Sequence, residues 1–402
     1  MITENQAPSS LTDEEINAMV KEAAAIAEDP APQPQQKQRT RLTRNVLVIG
    51  AGDGGCNIAS GIKNAIPEVY AIAYNTSSRA VNTLHVDMVI TPNAEDGSGK
   101  DRSYSKGVFK RAAYKTLVEL VKDATTKIQF DYIFVTTTAD GGTGGGASPN
   151  IAKVVADNVS VPVIVIGVYP ALAEDAKAQY NTIAWQAEIE KTGLPYMIFD
   201  NQARSNYPKL LMQLSVNDEI TVAMLVLTGE SYGNTNISAI DNRDMHMILI
   251  EAGQRINVYS STTKPKVGIT LDEYLETVLA NAAQPDPVGY GAIGVFVKGP
   301  SSMISALDTS LIDFRAKHGD ALMYTHIEES SDVCISLITA GSGIPEARLN
   351  EIKDRYDELT TKTATQTATA ASVLDQIDDP FAIKKANPVK DSDEDDFSGL
   401  DL

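Results

Sequence analysis

The stretch "FDYIFVTTTADGGTGGGASP" constrains this chain more than any other, because an apolar run ends in five glycines among the six residues from Gly141 to Gly146. Glycine loses more freedom on folding than any other residue. Such a run belongs where backbone approaches something closely or turns through positive φ. Pro149 follows, near the first turn of the expected helix, where proline is tolerated. A glycine run feeding a helix N-terminus leaves N–H groups free at the positive end of the helix dipole, a ready cradle for an anion. Thr143 adds a hydroxyl donor. The alternative is a set of tight turns, but turns rarely need so many glycines.

A second cradle lies upstream. "NVLVIGAGDGGCN" is an apolar strand running into Gly50, Gly52 and Gly55, which satisfy G-x-G-x-x-G, the dinucleotide fingerprint. An NAD site also needs an acidic residue about 20 positions on, at the end of the second strand. That strand, "VYAIAYN", ends in Asn75 and Thr76, so an NAD(P) oxidoreductase lacks its ribose partner. Two cradles at the C-terminal ends of two strands suit a triphosphate better than one pyrophosphate.

From Asn45 onward, short apolar runs alternate with helical stretches. "NVLVIG", "VYAIAYN", "HVDMVIT", "FDYIFVTTT", "VPVIVIGVY" and "PYMIFDN" read as strands buried on both faces. This predicts an α/β fold with a doubly wound parallel-sheet nucleotide-binding domain. The helix-like "NDEITVAMLVLTGE" comes next. A second, smaller α/β domain follows, with strands "GAIGVFVKG", "ALMYTHIEE" and "DVCISLITAG" and helices "SSMISALDTSLIDFRAKHG" and "PEARLNEIKDRYDEL". The expected boundaries are a flexible arm over 1–44, with a short amphipathic helix from Thr12 to Ala27, then 45–215, 216–250 and 251–360. Low-complexity "TTKTATQTATAAS" and acidic "DSDEDDFSGLDL" make 361–402 an expected disordered tail.

The net charge of −19 argues against direct binding to duplex DNA. Without a run of 18 apolar residues, membrane insertion is not expected either. "MITENQAPSS" lacks the layout of a signal peptide, and Cys56 and Cys334 make no disulfide framework, so a cytoplasmic location is expected. The basic residues Lys100, Arg102, Lys106, Lys110 and Arg111 read as a solvated helix start rather than a functional patch.

Taken together, these motifs resemble the tubulin/FtsZ superfamily of GTPases over about residues 45–360. "DGGTGGGASP" looks like the family's phosphate signature, with Asp140 in place of its first glycine and Gly145 in place of its Ser/Thr. "VLVIGAGDGGCNIAS" is similar to its first nucleotide loop, placing Gly52, Asp53, Gly54, Gly55 and Asn57 at the ligand. "AIAYNTSSRAV" looks like the second loop through Asn75 and Thr76. "FDNQ" resembles the segment carrying a base-contacting asparagine, here Asn201. "VNDEI" is like the start of the central helix, with Asn217 (or Asp218) at the guanine. The resemblance implies GTP/GDP and Mg2+ as ligands, held by these residues together with Gly141, Gly142, Thr143, Gly144, Gly145, Gly146 and Glu174. A bulkier residue at Gly144 is expected to block binding while sparing the fold. The third loop, "EDGSGKD", keeps a looser likeness.

The resemblance also implies that hydrolysis is completed by acidic residues from the next subunit. "AIDNRDM" supplies Asp241 and Asp244 at the family's D-x-x-D spacing, with Ala239 where an asparagine would stand. Two carboxylates three apart at a helix start share a side and can orient a water. Their alternative role is to cap that helix. Head-to-tail homopolymers follow, with the acidic tail as a solvated brush or a hook for a basic adaptor. A prokaryotic cytomotive filament of phage or plasmid origin, positioning DNA or virions, fits these features. A division-ring protein is the near alternative, and a non-hydrolysing nucleotide-binding adaptor a more distant one.

Overall fold

In the computed structural model, the structure describes residues 43–92, 97–233, 238–266, 269–285 and 289–374. Residues 1–42 of the expected arm, its helix and the acidic end of the tail lie outside the described residues; Arg44, placed in the arm by the sequence, is buried against the end of the helix at Lys209–Thr228.

β1 (Val46–Ala51) is buried along its whole length, because its two faces are covered by different helices. Val46 and Val48 join one core with Ile58 and Ile62 of α1 (Gly52–Ala65) and with Val216 and Ile220 of α6 (Lys209–Thr228). Leu47 and Ile49 join the other, with Leu117 and Val121 of α3 (Tyr114–Lys127), Ile151 of α4 (Thr143–Asn158), and Trp185 and Ile189 of α5 (Ala176–Thr192). A strand covered on both sides has no polar face, so its sequence does not alternate.

Among the described residues, ten strands form one sheet in the order β3-β2-β1-β4-β5-β6-β7-β10-β8-β9. The parallel half comprises β1, β2 (Tyr70–Tyr74), β3 (Met88–Ile90), β4 (Tyr132–Thr138), β5 (Val163–Tyr169) and β6 (Tyr196–Asp200). The α/β, doubly wound expectation therefore holds. The two expected sheets are one continuous sheet, because "RINVYSS" forms β7 (Arg255–Ser261), a strand absent from the sequence reading. β7 meets β6 at a single register pair, Tyr196 with Arg255. β10 (Cys334–Ser342) then lies antiparallel to β7 and to β8 (Ala292–Gly299), and β9 (Leu322–Glu329) closes the edge.

α6 begins at Lys209, two turns before "VNDEI". Its buried stripe joins a core that also contains Ile256, Val258 and Phe296, so one helix packs against both halves of the sheet. α6 is also the one helix among the described residues that is long and apolar enough to cross a membrane by length and composition. Packing on two sides accounts for part of its apolar character, while Leu210, Leu211 and Leu214 near its start stay exposed.

Further helices complete the order. α2 (Arg102–Val108) leads through a π turn into α3. α7 (Asn242–His246) and α8 (Leu271–Ala280) precede and follow β7, and α9 (Ser301–Lys317) links β8 to β9. α10 runs Glu346–Leu374 and continues through the low-complexity segment read as disordered. That segment contains neither Gly nor Pro, and helix propagates cheaply from a docked first half. Of the basic cluster, Lys100 pairs with Asp175, while Arg102 and Lys106 share Glu188; Lys110 and Arg111 are exposed.

Candidate nucleotide site

β1 and β4 are neighbours, and the chain leaves their C-terminal ends in opposite directions along the sheet. That is the switch point at which open α/β sheets bind ligands. A cavity of about 530 Å³ opens there. The two glycine loops form its floor. Gly52 has φ +71, and a Cβ on it would meet the Gly144 nitrogen at 2.6 Å. A Cβ on Gly144 would in turn meet the Ala51 carbonyl oxygen at 2.5 Å. Glycine is needed here for backbone-to-backbone approach.

α1 starts at Gly52 and α4 at Thr143, and neither start carries a side-chain cap. In contrast, α2, α5 and α8 are capped by Asp101, Asp175 and Thr270. Two uncapped N-termini facing one cavity leave donors that a ligand can satisfy. Pro149 lies in the second turn of α4 rather than the first. Its missing N–H would free the Gly145 carbonyl, and Arg102 Nη1 donates to that oxygen at 2.6 Å.

The cavity gathers most of the expected residues: Gly52, Asp53, Gly54, Asn57, Asn75, Gly141, Gly142, Thr143, Gly144, Glu174, Asn201 and Asn217. Gly55, Gly145 and Gly146 do not line it. A Cβ there would strike the backbone of Thr136, Ala139 and Arg102 respectively, so these three glycines serve close packing behind the loops.

Asn75 lines the cavity with its amide partly engaged. Its Nδ2 donates to Asp53 Oδ1 at 2.6 Å and its Oδ1 accepts from the Ser77 N–H at 3.1 Å, so both ends of the amide are engaged within the wall. The Thr143 hydroxyl is shared with Thr76 at 2.6 Å and Ser98 at 3.1 Å. Asn201 keeps a buried Oδ1 that has no hydrogen-bond partner among the described residues. A buried acceptor left unmatched costs stability unless a ligand or water meets it.

The sequence reading missed the lining residues Ser77 and Gln213, and gave Gly97, Ser98, Gly99 and Lys100 only as part of a third loop of looser likeness. Gln213 lies one turn before Asn217 on the same face of α6, a relation hidden by the late helix start. Gly97 and Gly99 have positive φ, and so does Lys100 at 63°. A lysine holds that conformation only when its surroundings over-determine it. Here its carbonyl accepts from Asn181 Nδ2 and its ammonium pairs with Asp175 at 2.6 Å. Burial opposes the charge on Lys100, but the hydrogen bond and charge of Asp175 prevail and raise its pKa.

Among the described lining residues Lys100 is the one cation, against Asp53, Asp140 and Glu174. Burial raises the pKa of Asp140, and the Thr138 hydrogen bond and the Lys100 charge oppose it. A polyanion fits this wall only together with a cation.

Asp241 and Asp244 lie elsewhere. They form a reciprocal capping box at α7: the Asp244 N–H donates to Asp241 Oδ1 at 2.9 Å, and the Asp241 N–H to Asp244 Oδ2 at 3.1 Å. The capping alternative is thus realised, while Asp241 stays exposed and Asp244 half-buried, each with one oxygen outside the box. Asp241 is close enough to act on the charge of Arg44, which precedes β1 and binds the Leu227 carbonyl at the C-terminal end of α6. From Asn217 to Thr228 that helix rises about 16 Å. The acidic pair therefore sits at the opposite end of β1 and α6 from the cavity.

A doubly wound sheet with two glycine-opened helix starts at its switch point, joined through a central helix to a mixed second half, defines a tubulin/FtsZ-like protein. Residues 45–207 match the Tubulin/FtsZ family, GTPase domain. It is 24% identical over 274 residues to tubulin-like protein CetZ2 of Haloferax volcanii, covering 64% of this chain and 76% of that one. It is 23% identical over 328 residues to the cell division protein FtsZ of Buchnera aphidicola subsp. Baizongia pistaciae, covering 77% and 80%. Among solved structures it resembles the TubZ-Bt two-stranded filament, with a TM-score of 0.70 at 16% identity over 86% of this chain and 97% of that one. It also resembles the GTPγS-bound CetZ2 protofilament of Haloferax volcanii, with a TM-score of 0.65 at 19% identity over 80% and 99%.

Proposed function

We propose that this protein binds GTP in the cavity, hydrolyses it to GDP, and polymerises head-to-tail, each neighbour supplying Asp241 and Asp244. The observation that carries this reading is the pair of uncapped helix N-termini meeting at one cavity beside the orphaned Asn201 acceptor. The backbone of Gly141–Gly144 and Gly52–Gly54 would hold the phosphates, and Asn201 and Asn217 the guanine, by paired donor and acceptor groups. Asp53, Asp140 and Glu174 do not converge as a metal-holding group, so a Mg2+ ion would reach this acidic wall on the phosphates themselves, where it would supply the charge compensation a triphosphate needs.

One chain cannot bring the acidic pair to its own cavity, whereas a translated copy can. Tyr207, Leu210, Leu211 and Leu214 support such a contact: they stand exposed on or just before the first turns of α6, the helix that carries the lining residues Gln213 and Asn217, with Leu210 at 67%. A heterologous contact of this kind does not close on itself and gives filaments. The reading extends to a role positioning DNA or virions in a prokaryotic cytoplasm, with a division-ring role as the alternative and the acidic tail meeting a basic adaptor. Dilution tests the core of it. Turnover per subunit should collapse below a critical protein concentration, and a rate constant on dilution would mean that one chain holds the whole active site.

A further inference from the structure

Asp200 ends β6 one residue before Asn201, and it is held from far along the chain. Arg348, in the first turn of α10, directs Nε to Asp200 Oδ2 at 2.5 Å and Nη2 to Asp200 Oδ1 at 3.3 Å. The same Nη2 donates to the Pro170 carbonyl at 2.8 Å. Two turns further in α10, Arg355 Nε donates to the Leu172 carbonyl at 2.9 Å, and the Leu172 N–H donates to Gln202 Oε1 at 2.8 Å. Gln202 closes the ring, its N–H donating to Asp200 Oδ1 at 2.9 Å. Pro170 and Asn201 on the cavity wall are therefore set by a hydrogen-bonded ring whose outer members belong to α10.

We infer that α10 is coupled to occupancy of the cavity, with Arg348 as a positioning residue that sets the Asn201 wall. The inference rests on the nucleotide reading above. Arg348 and Asp200 are both buried. If α10 leaves, a buried carboxylate loses a bidentate partner and must turn toward water, taking the adjacent Asn201 turn with it. A base held by Asn201 favours the docked arrangement, and by linkage the docked helix favours the base. Lysine cannot replace Arg348, because the geometry uses two guanidinium nitrogens in a fixed fork on Asp200 and the Pro170 carbonyl.

Hydrogen exchange on the full-length protein tests this without any substitution. Adding GTPγS should slow exchange over 346–359 together with the two glycine loops. Protection of the loops alone overturns the coupling; protection of neither overturns the nucleotide reading and the coupling with it. Variants give a second measure. The double change Asp200→Asn with Arg348→Met removes both charges, so neither is stranded. It should weaken GTP at least about tenfold and shrink its preference over ATP. Arg348→Lys should fall between it and wild type. A purely structural role would lower the melting temperature and leave the base preference intact; unchanged affinity and preference in a folded double variant refutes the assignment.

Discussion

Replacing Asp241 with asparagine separates the two roles open to the acidic pair. In the structure each aspartate accepts one backbone N–H of the other, at 2.9 and 3.1 Å, so both act as caps. Asparagine caps a helix about as well as aspartate, whereas alanine costs about 1 kcal/mol. Asp241→Ala should therefore lower the melting temperature by roughly 2–4 °C or less in a domain of this size, and Asp241→Asn should leave it close to wild type. Lost charge near the helix dipole adds roughly 0.3–1 kcal/mol at most. If the carboxylate orients or deprotonates the attacking water of a neighbour, both variants lose about 10²–10⁴ in turnover, whatever their melting temperatures. The assay is phosphate release at saturating GTP and high protein concentration, with nucleotide affinity and thermal midpoint measured in parallel. Asp241→Asn turning over at the wild-type rate would mean that the pair is a cap and nothing more.

The structure redirects the test of the glycine run. A side chain at Gly144 would collide with the Ala51 carbonyl and the Thr137 hydroxyl at 2.5 Å, so Gly144→Val should unfold the domain rather than merely empty the cavity. Gly141 lines the cavity, and a Cβ there has Thr138 Oγ1 as its nearest neighbour at 3.5 Å; Gly141→Val should keep the melting temperature and lose GTP binding. Asn201→Ala removes an orphaned buried acceptor, so the unliganded protein should hold or gain stability while GTP affinity drops about tenfold or more by equilibrium binding. Burial raises the pKa of Asp140 above its ordinary 3.8. The folded carboxyl therefore binds a proton more tightly than the unfolded one, and stability is lost as pH rises through that window. Asp140→Asn should raise the melting temperature at neutral pH, with the gain fading toward pH 4; a gain equal at both would refute the burial account.

Much of this was written locally. The parallel half of the sheet was legible because strands buried on both faces must be apolar throughout, and the glycine runs were legible because only close backbone approach keeps them. The glycine runs pointed to Gly52–Gly54 and Gly141–Gly144, the family resemblance added Asn57 and Asn201, and all of these line one cavity. What the tertiary structure decided is which polar atoms were already taken. Asn75 is engaged by Asp53 and Ser77, and Asp241 and Asp244 by each other, and no spacing rule distinguishes a free amide from an engaged one. Strand β7 escaped notice because a short mixed run joins the two halves of the sheet through one register pair, a contact set by packing rather than by pattern. The hold of Arg348 on Asp200 spans 148 residues. Local sequence carries the periodicity of each element, whereas the partner of a buried charge is chosen only when distant elements close on it.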